Sequence, residues 1–138
     1  MSFIDVVDHV ISLAQKATIE DEKLKQRHSV DIGISMGDPK SQAYLAAARG
    51  LANELETYLS SLSSDDIGKL ETLMYFGRDY KDIESFDIVQ LHSKLHPNGI
   101  NKAQCIRNIT EKRPAIEIYF NEAKRMAKTL KMDLNNLL

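Results

Sequence analysis

His92 and His96 lie four residues apart, a spacing that on a helix puts both imidazoles on one face and could seed a metal site. A third ligand would have to come from Glu84, Asp87 or a distant helix. Pro97 stops the helix at the second histidine, and polar residues near a helix end, favoured there by the dipole, explain the pair without a metal. The expectation is therefore no metal and no cofactor. Gly33-Ile34-Ser35-Met36-Gly37 matches the Gly-x-Ser-x-Gly pattern of a nucleophile elbow, in which a strained strand-to-helix turn lifts a serine above a sheet. No sheet precedes it and the chain is too short for that hydrolase fold, so a glycine-containing connecting loop is the better reading. The same loop lacks the Gly-Lys-Ser/Thr ending of a phosphate cradle.

Cys105 falls on an apolar stripe with Ile106 and Ile109, which reads as a buried structural thiol; no His–Asp or His–Asn partner can be assigned to it. His9, between Val7 and Val10, reads as a core-edge residue, and Asp5, Asp8, Glu20, Asp21 and Glu22 as solvated helix faces. With no convergent set of nucleophile, base and orienting group, the chain is expected not to be an enzyme.

The basic end is more suggestive. Lys124, Lys128 and Lys131 follow a 4-and-3 spacing with Arg125 beside them, a stripe that could track phosphates. Residues 102–138 carry eight Lys and Arg against four acids, leaving ten against sixteen before them. Nucleic-acid modules usually interleave aromatics with such charges, whereas Tyr119 and Phe120 are committed to the core here, and Glu117 and Glu122 are available for helical pairing. A solvated face or a protein partner is preferred over nucleic acid.

The elements that position these residues follow from periodicity. Ser2 caps a first helix, with Asp5 in a capping-box relation and Phe3, Val7, Val10, Ile11, Ala14 and Ala17 at helical spacing. The polar stretch 20–27 either prolongs it or begins a connection, and 28–38 is an irregular loop. Asp38-Pro39 opens a second helix with an apolar stripe through Tyr44, Ala47, Ala48, Leu51, Leu55, Tyr58, Leu59 and Leu62. Its small residues Ala43, Ala46, Ala47 and Gly50 would let another helix approach closely. Ser63 or Ser64 starts a third, with Ile67, Leu70, Leu73 and Met74 inward and Gly77 as its C-terminal cap. A fourth spans about 82–95 with Ile83, Phe86, Val89 and Leu95 inward, and Pro97-Asn98-Gly99 ends it. A short helix follows Asn101. Pro114 opens the last, with Ile116, Tyr119, Phe120, Ala123, Met126, Ala127 and Leu130 on one face, and Leu134, Leu137 and Leu138 continue the spacing.

These elements make a compact all-α bundle of five to six helices in a single domain over residues 1–138, with 43% hydrophobic residues to fill its core. One cysteine excludes an intrachain disulfide framework. The acidic amino terminus does not resemble a secretory signal, and the apolar runs fall far short of the ~20 residues a membrane span needs, so a cytoplasmic protein with no membrane partner is expected.

Leu70-Glu71-Thr72-Leu73-Met74-Tyr75-Phe76-Gly77-Arg78-Asp79 resembles the Leu-Met-(aromatic)-Leu-Gly-Arg-Gly element of a family of small bacterial helical domains of unknown function. Gly37-Asp38-Pro39 and Asn101–Met126 are similar to that family's loop and final segment, so the likeness spans most of 30–130 and is specific around 70–79. The chain departs from it at Asp79, where the family has glycine, and in its more basic last helix. The resemblance implies a helical fold and transfers no activity. At this corner Arg78 can bond the helix-end carbonyls and be fixed by Asp79. The leading expectation is a non-enzymatic protein-interaction module, one that could self-associate through the small-residue face. The alternatives are a binder of nucleic acid or another acidic partner, and a metal-dependent enzyme using His92 and His96. The partner-binding candidates are Arg78, Lys124, Arg125, Lys128 and Lys131.

Overall fold

The structure, a computed structural model, describes residues 2–27, 42–43, 46–47, 50, 53–79 and 87–136. Outside them lie the Gly33–Gly37 motif, the Asp38-Pro39 start, Ile83, Phe86, Leu137 and Leu138. The described residues form six α-helices and no strand, an all-α bundle: α1 Phe3–Arg27, α2 Asn53–Ser61, α3 Ser64–Asp79, α4 Ile88–Leu95, α5 Lys102–Glu111 and α6 Ile116–Thr129. Short 3-10 turns, Arg113–Ala115 and Leu134–Asn136, precede and follow α6. None of these helices is long and apolar enough to cross a membrane.

α1, α3, α4 and α5 start where a side chain satisfies their first amides, whereas α6 follows the Pro114 turn with no side-chain cap. The Ser2 hydroxyl accepts from Asp5 N at 3.3 Å while Asp5 accepts from Ser2 N at 3.1 Å, the reciprocal bonds of a capping box. Ser63 Oγ accepts from Asp66 N at 3.1 Å, Asp87 from Val89 N at 2.9 Å, and Asn101 Oδ1 from Gln104 N at 3.1 Å. The polar stretch 20–27 continues α1, supported by the Asp21–Lys25 pair.

α3 is the centre of the bundle, packed against α6, α5 and α4, while α1 lies on α6 and α2. The core joins Val7 and Val10 of α1, Leu55 and Leu59 of α2, Leu70, Met74 and Phe76 of α3, Ile109 of α5 and Phe120 of α6. Gly77 departs from its expected role. It does not cap α3 but lies buried within it, where a Cβ would overlap the Tyr119 carbonyl of α6. A small residue there is what allows the two backbones to approach. Two apolar expectations also reverse. Val89 is 54% exposed and Ile88 is buried in its place, because the Asp87 cap sets the rotation of α4. Leu130 is 48% exposed because it caps α6 rather than continuing it.

The end of α6 is a Schellman motif with an unusual occupant. Lys131 adopts φ 56°, its N–H bonds Lys128 O at 3.2 Å, and Met132 N bonds Ala127 O at 2.7 Å. Glycine is the residue that takes this conformation without a Cβ penalty. Urea denaturation is therefore expected to move in opposite directions for two variants. Gly77→Ala loses about 1–3 kcal/mol by overpacking, and Lys131→Gly gains about 1 kcal/mol by relieving the left-handed lysine. A neutral Gly77→Ala would show that α3 and α6 do not approach this closely.

Candidate functional site

The enclosure of α3 buries two polar residues, Glu71 and Thr72, which are 3% and 0% exposed. Burial without partners would cost each of them dearly. Their partners come from α4 and α5, joined by the turn that follows His96. His96 is the C-cap of α4, its N–H bonding His92 O at 3.1 Å, and Gly99 turns the chain with φ 97°. Ile100 then seats on Gly68, where a Cβ would overlap its side chain, so the turn closes tightly against α3.

This packing gathers Glu71, His96 and Cys105, whose ligand atoms all lie within 4.8 Å of one another. His96 Nε2 is 3.5 Å from Glu71 Oε1, and the two side chains are only 6% and 4% exposed. That contact lacks hydrogen-bond geometry, and Nε2 is buried with no hydrogen-bond partner. The other carboxylate oxygen is anchored: Asn108 Nδ2 donates to Glu71 Oε2 at 2.9 Å, and Gln104 Nε2 holds Asn108 Oδ1 at 2.9 Å. Beside them, Thr72 Oγ1 donates to Gly68 O at 2.9 Å and meets His92 Nδ1 at 2.6 Å. With the Thr72 proton on the Gly68 carbonyl, a neutral His92 would donate from Nδ1 to Thr72 and keep its lone pair on Nε2. The rings of His92 and His96 meet edge-on at 5.1 Å.

Burial, aided by the neighbouring Glu71 carboxylate, pushes the Cys105 thiol up to about 12. Burial also lowers His92, with the adjacent His96 in the same direction, which favours the neutral imidazole. Because the folded thiol value lies above the ordinary one of 9.0, its contribution to stability persists below that pH and is lost as pH rises toward about 12. Chemically the cluster offers one oxygen, one nitrogen and one sulfur donor, a set suited to zinc and its neighbours. Closing on such an ion would draw the donors in to about 3.5 Å from one another.

The two histidines of the pair are placed differently. His96 enters the cluster directly, and its companions come from distant helices rather than from Glu84 or Asp87. Cys105 is buried as expected but has polar company. Glu71, Thr72 and Asn108 were not singled out by spacing, because they lie off the leucine stripes. The surface candidates sit elsewhere. Arg78, at the end of α3, pairs with Asp79 through two bonds of 2.7 and 2.9 Å and lies 4.5 Å over the Tyr75 ring. Lys124 pairs with Asp8 of α1 at 2.6 Å, and Arg125 with Glu122 at 2.9 Å. Lys128 and Lys131 are exposed, and His9 is exposed with its ring 4.3 Å from that of Tyr58.

A raised, buried thiol reacts slowly, since the thiolate is the nucleophile. In the metal-free native protein at pH 8, a disulfide reagent is expected to label Cys105 only on the timescale of unfolding, with full rapid labelling in guanidinium. Rapid labelling of the native state would contradict this environment. No family model, curated protein or solved structure matches the chain.

Proposed function

We propose that this protein binds a divalent transition-metal ion of the zinc class in its interior, through Glu71, His96 and Cys105. The observation that carries the reading is the buried His96 Nε2, which makes no hydrogen bond yet faces a carboxylate and a thiol. Leaving a buried polar atom unsatisfied costs about 1–3 kcal/mol, and a metal ion would convert that cost into a bond. The mixed donor set argues against calcium or magnesium, which take oxygen ligands. Binding would clamp the α4–α5 turn onto α3, so the ion serves the fold and makes the module metal-responsive. A reducing, cytoplasmic setting, favoured by the single cysteine, keeps the thiol available.

Metal-stripped protein titrated with zinc is expected to take up one ion per chain. At a hundredfold excess over Kd it gains about 2.7 kcal/mol of stability, visible as a thermal shift of several degrees that EDTA reverses. Cys105→Ser and Glu71→Gln remove the uptake while retaining helical circular dichroism. A folded wild type that neither binds zinc nor shifts would overturn the reading.

A second reading, a self-associating interaction module, has its own observation. Ala43, Ala46, Ala47 and Gly50 are exposed, and Ala47 and Gly50 line a groove of about 390 Å³ with Glu20, Lys23, Leu24 and Arg27 of α1. Small side chains let a second copy's helix approach its backbone. Sedimentation is expected to show a dimer at high micromolar concentration that Ala47→Arg dissociates; a wild-type monomer would exclude it. Nucleic acid is less favoured, because Lys124 and Arg125 spend their charge on Asp8 and Glu122.

A further inference from the structure

We infer that His92 is the fourth ligand of this centre, bound through Nε2, so that Glu71, His92, His96 and Cys105 form a closed four-coordinate site. The inference rests on the metal-binding reading above and deepens it. The placement of His92 and its contact with Thr72 carry it, together with the charge balance of the site.

The first is placement. His92 and His96 are four residues apart along α4, one at its last turn and one at its cap, and their rings meet edge-on at 5.1 Å. Both imidazoles therefore lie on the side of α4 that packs on α3, His92 at Thr72 and His96 at Glu71. The second is the hydrogen bond to Thr72. Metal-ligating histidines almost always donate their other ring N–H to a fixed acceptor, which orients the ring and leaves the ligating nitrogen unprotonated. Thr72 supplies that acceptor: its oxygen, 2.6 Å from Nδ1, is itself locked by its bond to Gly68 O. Thr72 is the residue next to Glu71, so one turn of α3 provides both a ligand and the outer-shell partner of another.

The third consideration is charge. A divalent ion in so enclosed a site needs neutralisation by its ligands, because uncompensated charge is costly to bury. On binding, the Cys105 thiol loses its proton to solvent as the metal–sulfur bond forms, and Glu71 contributes the second negative charge. Two neutral imidazoles then complete four-coordination without adding charge. One proton leaves for each ion bound, and no electron moves. His92 is not among the three donors already within 4.8 Å, so its ring has to swing toward the ion about its Thr72 contact. It is half-buried on an eight-residue helix, and this makes the movement local.

Cobalt(II) is the probe, because its visible bands report coordination number and its near-ultraviolet band reports thiolate bonding. Wild type is expected to give the intense visible bands of a tetrahedral site together with the thiolate band. His92→Ala should bind cobalt some 10- to 100-fold more weakly, the range by which even outer-shell losses weaken metal sites, with altered bands that added imidazole restores. Thr72→Val should weaken binding about 10-fold without moving the bands, as expected for a residue that orients a ligand. His92→Gln is the companion variant if alanine loosens α4, with helical circular dichroism of the metal-free protein as the folding check. Wild-type affinity and spectrum in His92→Ala would overturn the fourth-ligand inference while leaving the three-residue centre intact. Absence of cobalt and zinc binding in folded wild type would instead overturn the centre itself, and the inference with it.

Discussion

The contact between Gly77 and the backbone of Tyr119 is the constraint on which the other features of the bundle depend. A side chain at position 77 would hold α3 and α6 apart. With glycine there, α6 closes over one side of α3 while α4 and α5 cover the rest. The helix becomes an axis with almost no solvated face: from Ile67 to Gly77 only Lys69 and Tyr75 retain appreciable exposure. A helix so enclosed would ordinarily be apolar all round. This one keeps a carboxylate and a hydroxyl on its perimeter, and the arrangement of α4 and α5 is the response to them.

That response is uneven. Thr72 is satisfied by its own helix and by His92, and one oxygen of Glu71 by Asn108. The face between Glu71, His96 and Cys105 is different: the donors converge, yet the imidazole nitrogen has no hydrogen bond. A polar interior serving stability alone would be expected to close its hydrogen bonds, since each open one costs more than a closed one contributes. Convergence of unlike donors around an imidazole nitrogen with no hydrogen bond is the pattern a bound ion would complete.

The surface tells a more ordinary story. The charge asymmetry along the chain is partly cancelled in three dimensions, because acidic α1 lies against basic α6 and Lys124 meets Asp8. Arg78, prominent in the sequence at a helix–glycine corner, is held between the Asp79 carboxylate and the Tyr75 ring. Exposed pairs of this kind contribute little stability, but they reduce the positive field available to a phosphate partner.

Much of the architecture was legible from local rules. The Ser2–Asp5 box, the Ser63 cap, the Asn101 start and the Pro114 turn follow from residue types over three or four positions, and these interactions are complete within one turn of chain. The apolar spacing of α1, α3 and α6 likewise identified most of the core. Rotational detail was less legible: Val89 and Leu130 point outward because caps, not hydrophobicity, set the ends of their helices. Gly77 carried the signature of a cap and serves as a packing contact, a distinction that depends on which helix crosses it. The cluster was the least legible of all. His92, His96 and Cys105 were visible as chemistry-bearing types, but Glu71 and Asn108 resembled solvated helix positions. Amphipathic periodicity assumes one buried face, and only the tertiary structure decided that the middle of α3 is covered on nearly every side, bringing residues 25 and 34 positions along the chain to the carboxylate of Glu71.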